Sequence, residues 1–422
     1  MRVSEGRKPG ICRLVFEFLP WTTGGLVVHT IELAHAINPY CSAQHFLVPD
    51  DGSDTQRLDA SFGFRVTRVP YLRFSRLQRF KEKWCRWLPV RPLVVMSFGL
   101  SATPKIITLA REGKIDIIHA HGITNSIAAV LAGRLVRKPV VLMLHGSLEA
   151  YSKQSGGWER LVATLFKPDH VLVLDDGSVA PAKFARLYGS ARVTIVRHAI
   201  NTHVFSPKAA NESLRRELGL NGEFVCFAAQ SLSPVKGVDY TVRGFGEFLK
   251  RCGAPPALLL IAGEGPMKSL LSRLVSDAGL DERVRFLGVI SNERIPDYMS
   301  ISDVFLATSP YSNVNRSVQE AMACGKCVLT VDSGGTATLI EHMKNGVLAR
   351  AADPQDIAEK LRIVYHDAEL RARIGANARK FIVDNRSWEK RVEIELGVYR
   401  DLLERRPSPC PRRKARNESH HR

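Results

Sequence analysis

Glu320 is the carboxylate around which the chemistry of this sequence can be organised. It lies in SPYSNVNRSVQEAMACGK, Ser309 to Lys326, where a polar loop with Ser312, Asn313, Asn315 and Arg316 runs into a helical pattern. An ionised carboxylate only accepts hydrogen bonds. Lys236-Gly237 closes FAAQSLSPVKG at the mouth of another helix. An ammonium beside the positive end of a helix dipole suits a diphosphate. Gly263-Glu264-Gly265-Pro266 follows the apolar run LLLIA, and Gly334-Gly335-Thr336 follows VLTVDS. Glycines there let backbone amides approach an anion closely. Gly24-Gly25 opens a helix in the same way in the first half of the chain. One such loop is a common turn, but three after successive strands converge on a single anionic ligand.

His119, His121 and His145 stand at the ends of apolar runs, where a side chain is expected to face a cleft. A metal needs two or three converging ligands. No carboxylate cluster accompanies these histidines, and no Asp-x-Asp occurs, so they read as hydrogen bonders and no metal is expected. Cys324-Gly-Lys-Cys327 is a lone CxxC and reads as a pair of buried structural thiols. The eight cysteines are dispersed, which points to a reducing compartment.

The elements that must position these residues alternate between short apolar runs and helix-length amphipathic segments. That alternation predicts parallel sheets covered by helices. The runs are Ile11–Phe18, Gln44–Val48, Phe64–Val69, Ile115–His119, Pro139–Leu144, His170–Leu174 and Arg192–Val196 in the first half. In the second they are Phe224–Ala229, Ala257–Ala262, Val284–Leu287, Asp303–Ala307, Cys327–Val331 and Gly346–Leu348. Each half can build a doubly wound α/β sheet, with the site in the cleft between them. The expected organisation is residues 1–203, residues 204–385, a helix at 386–404 and a disordered basic tail at 405–422.

The net charge of +18 implies an anionic partner. Residues 65–91 hold nine Lys or Arg against Glu82 alone, interleaved with aromatics, and Phe80, Trp84 and Trp87 fall on one helical face. That suits an anionic membrane interface better than nucleic acid. No apolar stretch reaches the roughly 18–20 residues that span a bilayer, PLVVMSFGL being strand- or short-helix-sized, and the N-terminus has no signal pattern. The chain is therefore expected in the cytoplasm, peripheral on the inner face of the membrane.

Taken together, the Gly24-Gly25 loop, DIIHAHG, LMLHGS, VRHAINTHVFSP, LSPVKG, AGEGP, VRFLGVISNERIPDYMSISDVFLATS, QEAMACGK, GGTATLIEHMKNGVLA and SWEKRVEIELGVY occur in an order and spacing that resembles the family 4 glycosyltransferases. The resemblance implies two Rossmann-like domains facing a cleft (the GT-B fold), with Trp388 and Tyr399 on a final helix that crosses back to the first domain. It implies a retaining, metal-independent enzyme without a cofactor. The donor, a UDP- or GDP-sugar, would be held mainly by the second domain. Lys236 would contact the diphosphate, Glu320 the ribose hydroxyls, Gly263 and Gly265 the nucleotide, and Gly334, Gly335 and Thr336 would lie under the diphosphate. Gly24 and Gly25 would approach from the other side of the cleft, and His145 would lie near the transferred sugar.

The sequence departs from the family pattern in three places. Ser231 stands where an Arg usually precedes LxPxKG, which removes a charged phosphate contact of about 1.5–3 kcal/mol. Ser312 stands where the first Glu of a Glu–seven residues–Glu motif is usual, and Asn313, Asn315 and Arg316 are expected to rebuild that loop. His198-Ala199 replaces a usual Asn-Gly, and Ala tolerates positive φ poorly, so that turn is expected to differ. The sequence thus reads as a hexosyltransferase acting on a saccharide or a polyprenyl- or lipid-linked acceptor in surface polysaccharide, lipopolysaccharide or glycolipid synthesis. The alternatives are a catalytically degenerate GT-B protein acting as an interaction subunit and a nucleotide-sugar epimerase.

Overall fold

The computed structural model describes residues 8–20, 25–72, 90–144, 158–175, 180–310 and 314–405. All thirteen apolar runs form strands. The first seven are β1 (Gly10–Leu14), β2 (Ala43–Pro49), β3 (Arg65–Val69), β4 (Ile117–His121), β5 (Val140–Leu144), β6 (His170–Leu174) and β7 (Val193–Val196). The other six are β8 (Phe224–Ala229), β9 (Ala257–Ala262), β10 (Val284–Gly288), β11 (Val304–Ala307), β12 (Cys327–Val331) and β13 (Val347–Ala349). Strands such as VVLML in β5 and ALLLIA in β9 are buried along their whole length. A continuous apolar run, unlike an alternating one, is the signature of a parallel strand covered on both faces.

Two parallel sheets result, ordered β3-β2-β1-β4-β5-β6-β7 and β10-β9-β8-β11-β12-β13. Each reverses its winding once, between β1 and β4 in the first sheet and between β8 and β11 in the second. Ligands of open α/β sheets bind outside the carboxyl ends of the strands at such a switch point.

The chain crosses between the two sheets twice, side by side. Ile200 pairs with Ser387, and Ile200 N donates to Arg386 O at 2.8 Å. Ala199 is buried against Leu33 and Trp388 and does not adopt a positive φ. The Ala368–Arg386 helix packs on the second sheet through Ala378 and Ile382. The Trp388–Glu404 helix instead docks on the first sheet, where Val392, Leu396 and Tyr399 meet Ile11, Ile117 and Val141.

That docking carries a fully buried ionic network. Arg13 in β1 donates to Glu395 Oε1 at 3.0 Å, to Gln44 Oε1 at 3.2 Å and to His119 Nδ1 at 3.1 Å. Arg391 Nη1 lies 2.8 Å from Glu395 Oε2, an ion pair too bent for a hydrogen bond. The Tyr399 hydroxyl lies 2.6 Å from His119 Nδ1. His119 therefore does not face the cleft: the sheet turns it inward, where it bonds to the returning helix.

One length expectation is corrected. PLVVMSFGL is not a short element but part of the helix Val90–Arg111. Leu93–Arg111 reaches a mean hydropathy of 1.6 and is long and apolar enough to cross a membrane by length and composition. Phe98, Ala102, Ile106 and Leu109 are nevertheless buried in the first domain's core, which gives its apolar character a packing reason. Cys324 and Cys327 are free thiols, buried as expected, and burial pushes both up to about 12.

Candidate active site

The site is built at the β8–β11 switch point. After β8 the chain forms a tight 3₁₀ turn, Pro234–Lys236, and then starts the Val238–Arg251 helix. Gly237 between them has φ +62°, and an added Cβ would lie 2.5 Å from Thr308 O, so only glycine fits. The end of β11 is tied to the same turn. Thr308 Oγ1 donates to Gly237 O at 2.8 Å, and Ser309 Oγ donates to Val235 O at 2.6 Å. These bonds hold the turn that carries part-exposed Lys236 at the carboxyl edge of the sheet. Ser231 is exposed, with its hydroxyl 3.4 Å from that of Ser233.

Gly263 and Gly265 were expected to admit a ligand. Their immediate partner is the protein itself. A Cβ on Gly263, at φ +132°, would lie 2.0 Å from Gln230 O, and one on Gly265 would lie 2.4 Å from Leu232 O. The β9 loop thus packs backbone to backbone on the β8 loop, locked by Leu232 N donating to Glu264 O at 2.9 Å.

The described residues at the entry to the Arg316–Ala323 helix have structural partners. Asn315 is its N-cap: Oδ1 accepts from Ser317 N at 3.1 Å and Ser317 Oγ at 2.9 Å. Asn315 N donates to Thr336 Oγ1 at 3.1 Å, which joins this loop to the Gly334–Ala337 turn. Gly334 and Gly335 open that turn, and Thr336 is 2% exposed, so its hydroxyl braces Asn315. Arg316 is not a surface cation. Its Nε donates to Glu320 Oε1 at 2.8 Å and its Nη2 to Glu32 Oε1 at 2.9 Å. Burial opposes the Arg316 charge, but the Glu32 and Glu320 carboxylates outweigh it and raise its pKa above the ordinary value. Glu320 is 7% exposed; burial raises its pKa, and Arg316 works against that rise.

Glu32 belongs to the Gly25–Ile37 helix of the first half, so Arg316 links the two halves across the cleft. Sequence reasoning missed it. The available signal was that Glu32 is the one acidic residue in GLVVHTIELAHAI. Gly25 is the first residue of that helix. His145, Gly24, Ser312, Asn313, Phe80, Trp84 and Trp87 lie outside the described residues.

A cavity of about 200 Å³ opens beside Glu320. Gln230, Gly263, Asn292, Val289 and Ile290 share its wall. Gln230, also missed in the sequence, donates through Nε2 to Lys236 O at 3.3 Å. A ring with hydroxyl or N–H donors fits such a lining, with an attached anion reaching outward to Lys236. Among the described residues, no group of three or more His, Cys, Asp or Glu is placed to hold a metal.

Residues 210–381 match the model of group 1 glycosyl transferases, and residues 23–204 match that of glycosyltransferase family 4. The chain belongs to the family 4 glycosyltransferases. Among the relatives of this family 4 member, the N-acetyl-alpha-D-glucosaminyl L-malate synthase of Bacillus anthracis is 24% identical over 310 residues, 72% of this chain and 80% of that protein. An uncharacterized glycosyltransferase of Methanocaldococcus jannaschii is 23% identical over 93% of this chain and 98% of its own. Among solved structures, Anabaena HepE in complex with UDP superposes with a TM-score of 0.71 at 21% identity, covering 93% of this chain and 99% of that one. Sucrose-phosphate synthase of Thermosynechococcus elongatus gives 0.69 at 18% identity, over 95% and 100%. These likenesses, with the two parallel sheets, place this family 4 member in the GT-B fold.

Proposed function

We propose that this glycosyltransferase moves a hexose from a UDP- or GDP-sugar to a saccharide or lipid-linked acceptor, with retention of anomeric configuration and without a metal or other cofactor. The observation that carries the reading is the cavity at the β8–β11 switch point, where Glu320 and Gln230 line one pocket beside the Lys236 turn. A nucleoside would enter that pocket with its diphosphate toward Lys236. HepE has been solved with UDP and with UDP-glucose, which supports a nucleotide-sugar donor. Acceptors in the relatives' names include L-malate, D-inositol 3-phosphate and a phosphatidylinositol mannoside, and a lipid-linked acceptor falls within that range.

In this mechanism charge develops on the departing diphosphate. The Lys236 ammonium, on a turn held by the Thr308 and Ser309 bonds, would meet that charge. The acceptor hydroxyl attacks from the face the phosphate leaves, and a phosphate oxygen takes its proton, so no side-chain base is required. His145 would hydrogen-bond the transferred sugar. Closure of the cleft excludes water and limits hydrolysis. The protein would work in the cytoplasm, on the inner face of the membrane, held there by the basic stretch containing Phe80, Trp84 and Trp87.

The test is incubation of the pure protein with UDP-, GDP- and ADP-sugars plus lipid extract, followed by nucleotide release and thermal shift. Release with a shift supports transfer. Interconversion of the sugar without release would indicate an epimerase. No response to any nucleotide would sink both and leave a non-catalytic interaction role.

A further inference from the structure

Gln230 follows Ala229, the last residue of β8, at the mouth of the Glu320 cavity. The orientation of its amide follows from chemistry. Lys236 O can only accept, so the amide end 3.3 Å from it is the NH₂ group, and Oε1 points the other way. Oε1 is buried and has no hydrogen-bond partner among the described residues. A buried carbonyl oxygen left without a donor destabilises the fold, and such groups are rare enough to need an explanation. A ligand that supplies the donor is one.

The cavity defines that ligand's chemistry. Glu320, when ionised, and Gln230 Oε1 are both acceptors, and the cavity's described lining holds no Lys or Arg. A phosphate inside would meet two acceptors and no cation. A neutral group with hydroxyl donors would satisfy both. The geometry of the sheet separates two parts of a nucleoside. Gln230 and Glu320 follow β8 and β11, which are neighbours, whereas Val289, Ile290 and Asn292 follow β10, two strands from β8. At about 4.8 Å per strand the two ends of the pocket are roughly 10 Å apart. The apolar end suits a flat base, and the end with two acceptors suits a vicinal diol.

We infer that Gln230 is a specificity-determining residue that accepts a hydrogen bond from one ribose hydroxyl of the donor nucleotide, Glu320 holding the other, so that the site demands an intact diol. The inference rests on the nucleotide-sugar reading and adds a residue to it. Because Nε2 is bonded to Lys236 O, the same side chain ties the ribose end of the pocket to the diphosphate turn.

The test is calorimetric titration of the full chain with whichever of UDP, GDP or ADP it binds, and with the 2′-deoxy and 3′-deoxy forms of that nucleotide. Wild type is compared with Gln230→Met, which keeps the length and removes both polar atoms. The parent nucleotide is expected to bind the variant about fivefold more weakly, the equivalent of one net hydrogen bond of about 1 kcal/mol. That loss disappears with one of the two deoxy forms, because the partner hydroxyl is already gone. A loss of equal size with both deoxy forms would place the effect at the base or at Lys236 and overturn the proposal, as would no loss at all. The melting temperature without ligand gives an independent readout. It is expected to change little in Gln230→Met, because removing a buried acceptor without a partner offsets the lost Nε2 bond to Lys236 O, and a clear drop would mark Gln230 as structural. If wild type binds none of the three nucleotides, the nucleotide-sugar reading fails first and this inference with it. Binding by wild type that Gln230→Met leaves unchanged overturns the inference alone.

Discussion

Replacing Glu395 by Gln is the sharpest test of how the two halves of the chain are held together. Glu395 is 0% exposed, as is Arg13, and Arg391 is 3% exposed. The carboxylate is the shared counter-ion of both guanidiniums, at 3.0 Å from Arg13 Nη2 and 2.8 Å from Arg391 Nη1. Glu395→Gln preserves the shape and removes the charge, so two buried cations lose their partner. Breaking a buried pair from one side costs about 3–5 kcal/mol, because the remaining charge stays desolvated. The loss falls on the docking of the Trp388–Glu404 helix against the first sheet. Global unfolding of a two-domain chain is not a single transition, so a local probe is needed. Hydrogen exchange in the peptide spanning residues 388–404 is expected to accelerate by roughly two to four orders of magnitude, at one decade per 1.36 kcal/mol. A control makes the reasoning specific. Replacing Arg13, Glu395 and Arg391 together by Met, Leu and Met removes every charge at once and is expected to be less damaging than the single change. Exchange in Glu395→Gln within tenfold of wild type, or a triple variant worse than the single one, would refute the account.

The same carboxylate predicts an acid limb. Burial opposes its charge, but Arg391 and Arg13 outweigh burial and hold its pKa well below the usual carboxylate range. Its contribution is therefore fully present above the unfolded value of about 4.3 and is lost as pH falls below that; urea midpoints between pH 7 and pH 3 should drop more steeply in wild type than in Glu395→Gln. Gly263→Ala would place a methyl 2.0 Å from Gln230 O at φ +132°, so a stability loss above about 1 kcal/mol is expected by thermal melting, together with weaker nucleotide binding. Glu320→Ala should weaken donor binding by about 1–3 kcal/mol in calorimetry; unchanged affinity would contradict its ribose role. Glu32→Gln breaks only the part-exposed link to Arg316, with side chains 29% and 27% exposed, so it should cost under about 1 kcal/mol and its effect should shrink in high salt.

Much of the architecture was legible because strands are local. Each of the thirteen apolar runs is bounded by turn residues within a few positions, and a run buried on both faces needs no information from elsewhere in the chain. The glycine positions were legible for the same reason, although what packs against Gly263 and Gly265 was not. The Val90–Arg111 helix was read too short because its apolar signal weakens beyond Leu100, where Ser101–Arg111 includes Pro104. The loop before Glu320 shows the limit of residue types. Asn315 and Arg316 look like ligand chemistry in a line of text, yet one caps a helix and the other bridges two carboxylates.

By itself the sequence determined two doubly wound sheets and the presence of Lys236 and Glu320 at the edge of the second, while the strand order, and with it the switch points, came with the fold. Tertiary structure decided which polar groups are already satisfied. Arg316 finds Glu32 across 284 residues and Arg13 finds Glu395 across 382, while Gln230 Oε1 finds no partner among the described residues. Periodicity reports which face of an element is buried. It carries no information about which distant charge will be buried against it, because that depends on how the two domains and the returning helix dock.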